Sequence, residues 1–277
     1  MPSELPALIQ PPGVPSADVT SKGLLASAIA TGAVAAVGAL AAVGWRRFQA
    51  KLTANSLVLN ETLPIHSKWW RDHAKERGEM LYVAIGDSAA QGIGASRPDR
   101  SYVGVLADDI RNLTGRSLRV VNLSISGATT ELAVLDQLPR LAKLRPDLVT
   151  VAIGANDIAL WDPARFERNM RAILDAVPDD AIVADLPCFH FPKNERKVAV
   201  ANRILRRLAA ERGLTVVPLH ELTKRQGLRG ILTQFAEDMF HPNDHGYRVW
   251  ADAFRPALLA LVARRLVDAG HDHAEVA

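Results

Sequence analysis

The sequence predicts an α/β fold, a parallel sheet sandwiched between helices, and two observations carry that prediction. Five short, nearly continuous apolar runs alternate with segments of helical periodicity from Met80 onward. The runs are rich in β-branched residues, as strands buried on both faces should be. The length of 277 residues fits one domain of this class, about 200 residues, with an additional N-terminal segment.

The chain opens with a Pro- and Ser-rich stretch, residues 1–22, that has no apolar period and is expected to be a disordered tail. Gly23 to Val43 follows, 21 residues without a charge. As a helix this run would span about 30 Å, the thickness of a bilayer core. Trp45, Arg46, Arg47 and Lys51 stand where interfacial anchors belong. Residues 23–45 are therefore expected to form a single membrane-spanning helix. A cleaved signal peptide and a buried Ala/Gly-rich helix remain open alternatives. Lys22 on one side and three basic residues on the other favour a cytoplasmic catalytic domain. Residues 46–79 read as a linker. Its segment KWWRDHAKERGE, with Trp69 and Trp70, suits either a membrane surface or a short amphipathic helix packed on the domain.

The strand candidates are residues 80–86, 118–124, 147–154, 181–187 and 214–219. A helix between the first two ends at Gly115, a plausible C-cap. Another begins with Asp162 as N-cap and Pro163 in the first turn. A third covers Asn194 to Gly213. The last starts near Asp244 and passes Tyr247, Val249 and Trp250, with Pro256 expected to kink or divide it. Residues 266–277 are expected to be a flexible tail.

Composition excludes several function classes. Charged residues are 23% and hydrophobic residues 48%, which suits a folded core and not a disordered chain. The net charge is +3, with no basic stripe interleaved with aromatics, so no nucleic acid is expected as partner. The single cysteine, Cys188, cannot form an intramolecular disulfide, and it lacks a nucleophile's local signature. Gly92 and Gly94, in GIGAS, lack the spacing of a phosphate-binding loop.

In sheets of this class, ligands bind at the carboxyl ends of the strands. After the first strand come Gly86, Asp87 and Ser88, which place a serine at the top of the sheet. It opens a helix whose free N–H groups favour negative charge. After the second come Ser124 to Thr130, with Gly127 able to approach a ligand through its backbone. After the third come Gly154, Ala155, Asn156 and Asp157. Asn156 offers a side-chain N–H there, and Asp157 can hold the loop. Before the last helix come Asp238 and, three residues on, His241. Such a carboxylate can orient an imidazole and stabilise its cation. Each segment taken alone also reads as an ordinary turn or cap. No Cys or further His/Glu cluster of metal spacing accompanies Asp238 and His241, so neither a metal nor another cofactor is expected.

The four segments together resemble the SGNH hydrolase superfamily, also called the GDSL lipase/esterase family. Its blocks appear as GDS at 86–88, NLSISGATT with Gly127, GAND with Asn156, and DMFHP with Asp238 and His241. Ala89 stands where the family's nickname has leucine. The resemblance spans about residues 80–262 and places the hydrolase domain at 80–265. It implies a flavodoxin-like three-layer α/β/α sandwich with five parallel strands. It also implies Ser88, Asp238 and His241 as triad, and Ser88, Gly127 and Asn156 as oxyanion donors, with Asp87 and Asp157 supporting them. The expected activity is hydrolysis of acyl esters through an acyl-enzyme, with a small-molecule or lipid ester as substrate. A carbohydrate O-acetyl esterase of the cell envelope and an inactive membrane-tethered binding protein are the rival readings. Phe189 and Phe191, after the fourth strand, stand where an acyl chain could lie.

Overall fold

Five strands, β1 (Met80–Gly86), β2 (Leu118–Asn122), β3 (Leu148–Ala152), β4 (Ile182–Ala184) and β5 (Thr215–Val217), form one parallel sheet. The computed structural model describes residues 61–275 together with Ala50 and Leu59. Strand order is β2-β1-β3-β4-β5. Tyr82 of β1 pairs with Val120 on one side and Leu148 on the other. Chain direction across the sheet reverses between β1 and β3, and beyond the carboxyl ends at such a reversal sheets of this class bind their ligands.

Eight helices matter for the site: α1 (Leu63–His73), α2 (Ser88–Gln91), α3 (Tyr102–Thr114), α4 (Pro163–Ala176), α5 (Pro192–Glu211), α6 (Leu219–Arg225), α7 (Gly227–Thr233) and α8 (Asp244–Glu275). Side chains alternate across β1. Tyr82 and Ala84 enter the core shared with Tyr102, Leu106 and Ile110 of α3 and Trp250, Phe254 and Leu258 of α8. Val83 and Ile85 enter the opposite core, with Phe166 and Met170 of α4 and Val198 and Leu205 of α5. The sheet is thus covered on both faces, which is why its strands read as unbroken apolar runs. Each large apolar side chain buried this way contributes about 1.5–3 kcal/mol.

The helix ends carry local caps, among them the expected Gly115 and Asp162. Ser101 Oγ accepts the Gly104 N–H at 3.2 Å at the start of α3. Gly115 ends that helix at φ 66°. Asp162 Oδ1 accepts the N–H groups of Ala164 and Arg165 at 3.0 and 3.1 Å, ahead of Pro163. Of the two expectations for Pro256, a kink or a division, the division is corrected: α8 runs through it. Phe254, Leu258, Leu261 and Val262 are all buried around it, and this packing offsets the hydrogen bond the proline removes. The same helix continues through 266–275, most of the stretch read from sequence as a tail.

Trp69 and Trp70 lie on α1. Trp70 is 3% exposed and packs into the core beneath α3, so the linker segment supplies a helix that docks on the domain. No helix among the described residues is long and apolar enough to cross a membrane. The tail at 1–22 and the apolar run at 23–45 lie outside the described residues.

Candidate active site

The nucleophile candidate is built into the end of β1. Gly86 lies so close to its neighbours that a Cβ there would sit 2.6 Å from Ala90 Cβ and 2.9 Å from the Ala152 carbonyl oxygen. Only glycine fits in the space at this point. Asp87 then caps α2, its Oδ1 accepting the Ala89 N–H at 3.0 Å. Ser88 is the first residue of that helix and is 5% exposed. As a first-turn residue it has no intrahelical acceptor for its N–H.

His241 reaches Ser88 from 153 positions away. Its Nε2 lies 2.9 Å from Ser88 Oγ, and its Nδ1 lies 2.6 Å from Asp238 Oδ2. Asp238 Oδ1 accepts the N–H groups of Phe240 and His241, both at 3.0 Å. Burial pushes the Asp238 carboxyl up, but the His241 hydrogen bond, its charge and the two N–H donors outweigh this and hold it below its ordinary range. An ionised Asp238 can only accept, so the ring proton belongs on Nδ1 and Nε2 is free to accept from the serine hydroxyl. The arrangement can take a proton from Ser88 and store the resulting positive charge beside a carboxylate.

The loop carrying His241 is tied to the serine turn by contacts that motif reading does not reveal. Gly94, at φ 92°, passes so close that a Cβ would meet the Pro242 carbonyl oxygen at 2.5 Å and His241 Cβ at 3.0 Å. The GIGAS segment therefore serves as the seat of the histidine loop. Tyr247 Oη donates to the Ile93 carbonyl at 2.7 Å, and Asp244 accepts from both the N–H and the hydroxyl of Ser96. Asn243 pins the loop's far end. Its Nδ2 donates to the carbonyls of Thr233 and Phe235, and its Oδ1 accepts the N–H groups of His245 and Gly246.

Gly127 adopts φ 76°, with open space where a Cβ would point, so backbone conformation and not crowding calls for glycine. Asn156 follows β3 in a short turn and donates from Nδ2 to the Ala128 carbonyl at 3.0 Å. A second, longer contact of 3.4 Å reaches Asp87 Oδ2. Asp157 binds both the N–H and the hydroxyl of Thr130, at 2.9 and 2.6 Å, and so locks the Gly127 loop to the Asn156 loop. Burial raises the Asp157 carboxyl above its ordinary value despite these donors. Burial likewise raises Asp87, to about 6, against the lowering influence of the Ala89 N–H and His241. The sequence-predicted Asp87, Ser88, Asn156, Asp238 and His241 are thus linked in two chains of contacts, with Gly127 on a neighbouring loop that Asp157 ties to them through Thr130.

The two phenylalanines part company. Phe189 is partly buried, and its ring meets Phe240 edge-on at 6.5 Å between centroids. Phe240 in turn stands edge-on to His241 at 5.0 Å. Phe191 is 65% exposed at the head of α5. Phe240, which sequence reading passed over, is the aromatic in contact with the histidine. Three further supports were also missed. Gln137 closes the end of β1 by bonding both the N–H and the carbonyl of Gly86. Trp70 Nε1 donates to the Gln91 carbonyl at 3.0 Å, and His66 Nδ1 lies 3.0 Å from the same oxygen. Helix α1 thereby braces the turn that carries Ser88.

Residues 84–249 match the GDSL-like lipase/acylhydrolase family, well over half of the chain. The chain belongs to that family. It is accordingly a carboxylic ester hydrolase. Esterase TesA of Pseudomonas aeruginosa is 27% identical over 172 residues, 61% of this chain and 82% of that protein. A crystal structure of TesA superposes with a TM-score of 0.55 at 25% identity, over 65% of this chain and 99% of that one. LAE5, an α/β hydrolase from the metagenome of Lake Arreo, gives 0.55 at 26% identity, over 67% of this chain and 98% of that one. An acetyl xylan esterase from Geobacillus stearothermophilus shares the fold, with a TM-score of 0.55 at 21% identity over 65% and 94% of the two chains. The three-layer sandwich expected from the sequence is the fold of these proteins.

Proposed function

We propose that the chain hydrolyses acyl esters by nucleophilic catalysis at Ser88. The observation that carries this reading is the unbroken contact from Ser88 Oγ to His241 Nε2 and from His241 Nδ1 to Asp238. Ser88 Oγ attacks the ester carbonyl while its proton passes to His241 Nε2. The imidazolium is held by the Asp238 carboxylate. The carbonyl oxygen becomes an oxyanion that takes hydrogen bonds from the Ser88 and Gly127 N–H groups and from Asn156 Nδ2. The second Nδ2 proton has only the long contact to Asp87 to give up. The tetrahedral intermediate expels the alcohol, which leaves with the His241 proton, and an acyl-enzyme remains. Water, deprotonated by His241, repeats the attack and frees the acid and Ser88.

The acyl group is proposed to be of medium or long chain. Phe240 and Met239 flank His241 on its own loop and are 49% and 40% exposed. Leu228 and Leu232 on α7, which leads into that loop, are 71% and 74% exposed. Apolar surface of this kind beside a buried polar site suits a hydrocarbon chain better than a sugar ring. Turnover of p-nitrophenyl esters from acetate to palmitate tests both points. We expect kcat/KM to rise toward octanoate or beyond, and Ser88→Ala to abolish turnover of every ester without unfolding the protein. A profile that peaks at acetate and falls steeply by octanoate would favour the O-acetyl esterase reading instead.

The apolar run at 23–45 supports a single-pass membrane anchor, with the catalytic domain on the cytoplasmic side. Retention of the full chain in membranes after carbonate extraction, and its shielding from added protease in sealed vesicles, are the expected results.

A further inference from the structure

Behind Phe189, outside the Ser88 site, three residues from three segments bring their donor atoms together, and His190 stands against one of them. Cys188 and His190 lie on the loop after β4, Glu195 in the first turn of α5, and His220 in the first turn of α6. One donor atom from each of Cys188, Glu195 and His220 lies within 4.8 Å of the other two. His190 Nδ1 is 3.6 Å from Cys188 Sγ, and His220 Nε2 is 2.9 Å from Glu195 Oε2.

We propose that Cys188, Glu195 and His220 form a binding site for a divalent cation of the zinc type, with the fourth position open to His190, which stands beside Cys188. A tetrahedral zinc with bonds of about 2.3 Å to sulfur and 2.0–2.1 Å to nitrogen holds those two atoms about 3.6 Å apart. That is the separation between Cys188 Sγ and His190 Nδ1. The same geometry needs about 3.4 Å between a nitrogen and a carboxylate oxygen. The His220–Glu195 pair would open by about half an ångström from its hydrogen-bonded distance. A mixed sulfur, nitrogen and oxygen donor set suits a borderline-soft ion better than calcium or magnesium. On binding, the Cys188 thiol loses its proton to solvent. The resulting thiolate and the Glu195 carboxylate together balance the ion's two charges.

The ligands are held by partners of their own, as metal ligands commonly are. Glu195 Oε1 accepts the Phe189 N–H, which leaves Oε2 to face His220. The Cys188 N–H donates to Thr223 Oγ1 at 2.9 Å, and the His220 N–H donates to the buried Asp185 at 2.7 Å. His190 adopts φ 60°, a conformation a residue with a side chain occupies only under constraint. That conformation sets its ring beside Cys188. Half-buried side chains of Glu195 and His220 leave the ion a path from solvent. Sequence spacing concealed the set because its members stand at 188, 190, 195 and 220. An occupied site would fix the loop that holds Phe189 against Phe240, and so the aromatic wall beside His241.

The test is to strip the full chain with a chelator and titrate it with Co²⁺, then Zn²⁺. We expect one equivalent of Co²⁺ to give tetrahedral visible bands and a near-ultraviolet thiolate-to-cobalt charge-transfer band, both displaced by Zn²⁺. The chain has one cysteine, so that band can arise only from Cys188 even if variants fold poorly. Cys188→Ser should lose the band, and His220→Gln should weaken affinity at least about 10-fold. Ser88→Ala should bind like the wild type. Failure to bind Co²⁺ at micromolar concentration, binding without the thiolate band, or unchanged affinity in His220→Gln would overturn the proposal.

Discussion

Ser88 stands at the end of a strand inside the sheet, whereas His241 stands on a loop that belongs to no strand. The first is fixed by the core: β1 is paired on both sides, and both of its faces are buried. The second is fixed by side chains. A single antiparallel bridge, Phe235 to Pro242, joins Asn243, Asp238 and the Gly94 contact in holding it. A nucleophile must not move when a base takes its proton, and the core provides that rigidity. In the proposed mechanism His241 passes a proton from Ser88 to the leaving group, and the side-chain hydrogen bonds of its loop keep it within reach of both. Damage to the serine turn should therefore cost stability and activity together, while damage to the histidine loop should cost activity first.

The sharpest break in that comparison is Asp238→Asn, which removes a charge from the loop and reverses the hydrogen bond that sets the His241 tautomer. We expect kcat to fall by about 10³–10⁴ with only a small change in melting temperature, measured by ester turnover and calorimetry side by side. Asn156→Ala comes next, since it deletes one anion donor while leaving the Asp157 brace in place. Its kcat should fall by about 10²–10³, with KM little altered.

The serine turn has its own signature, read through pH. Burial raises Asp87 from an ordinary 3.8 to about 6, so the folded protein holds this proton more tightly than the unfolded chain does. Its penalty is absent below pH 3.8, grows as pH rises, and is complete above pH 6. Asp238 works in the opposite sense: its stabilising contribution is present above the ordinary aspartate range and is lost as pH falls. Asp87→Asn keeps a capping oxygen for Ala89. It should flatten the fall in stability between pH 4 and 6 and gain up to about 3 kcal/mol at pH 7 in urea titrations. Asn243→Ala is the mildest test on the loop side. It removes four hydrogen bonds at the entrance to α8, and we expect a loss of about 1–2 kcal/mol together with lowered kcat.

How much of this was legible beforehand follows the same division. β1 was read with its observed limits, because its apolar run is continuous and ends at Gly86. Strands β4 and β5 are shorter than read: the runs at 181–187 and 214–219 contain Pro187 and Pro218, which have no N–H for a ladder, and apolar character outlasts the pairing. Ser88 and Asn156 announced themselves as polar residues at strand ends, and Asp238 and His241 as a carboxylate three residues before a histidine, ahead of the last helix. The braces did not. Trp70, Gln137 and Gly94 act through backbone atoms far away in sequence, and no local pattern marks such contacts. Likewise α6 and α7 escaped notice because Gly227 and a run of polar residues hide two short helices. Phe240 was overlooked since its neighbours in the DMFHP block carried the chemistry.

The central claim is that one hydroxyl in this chain, Ser88, becomes a nucleophile because His241 is beside it. Labelling the active protein with a fluorophosphonate and mapping the adduct by mass spectrometry tests it most directly. The account predicts one adduct, on the Ser88 peptide, and its loss in His241→Ala. An active enzyme that carries no adduct, or one whose adduct maps to another hydroxyl, would contradict it.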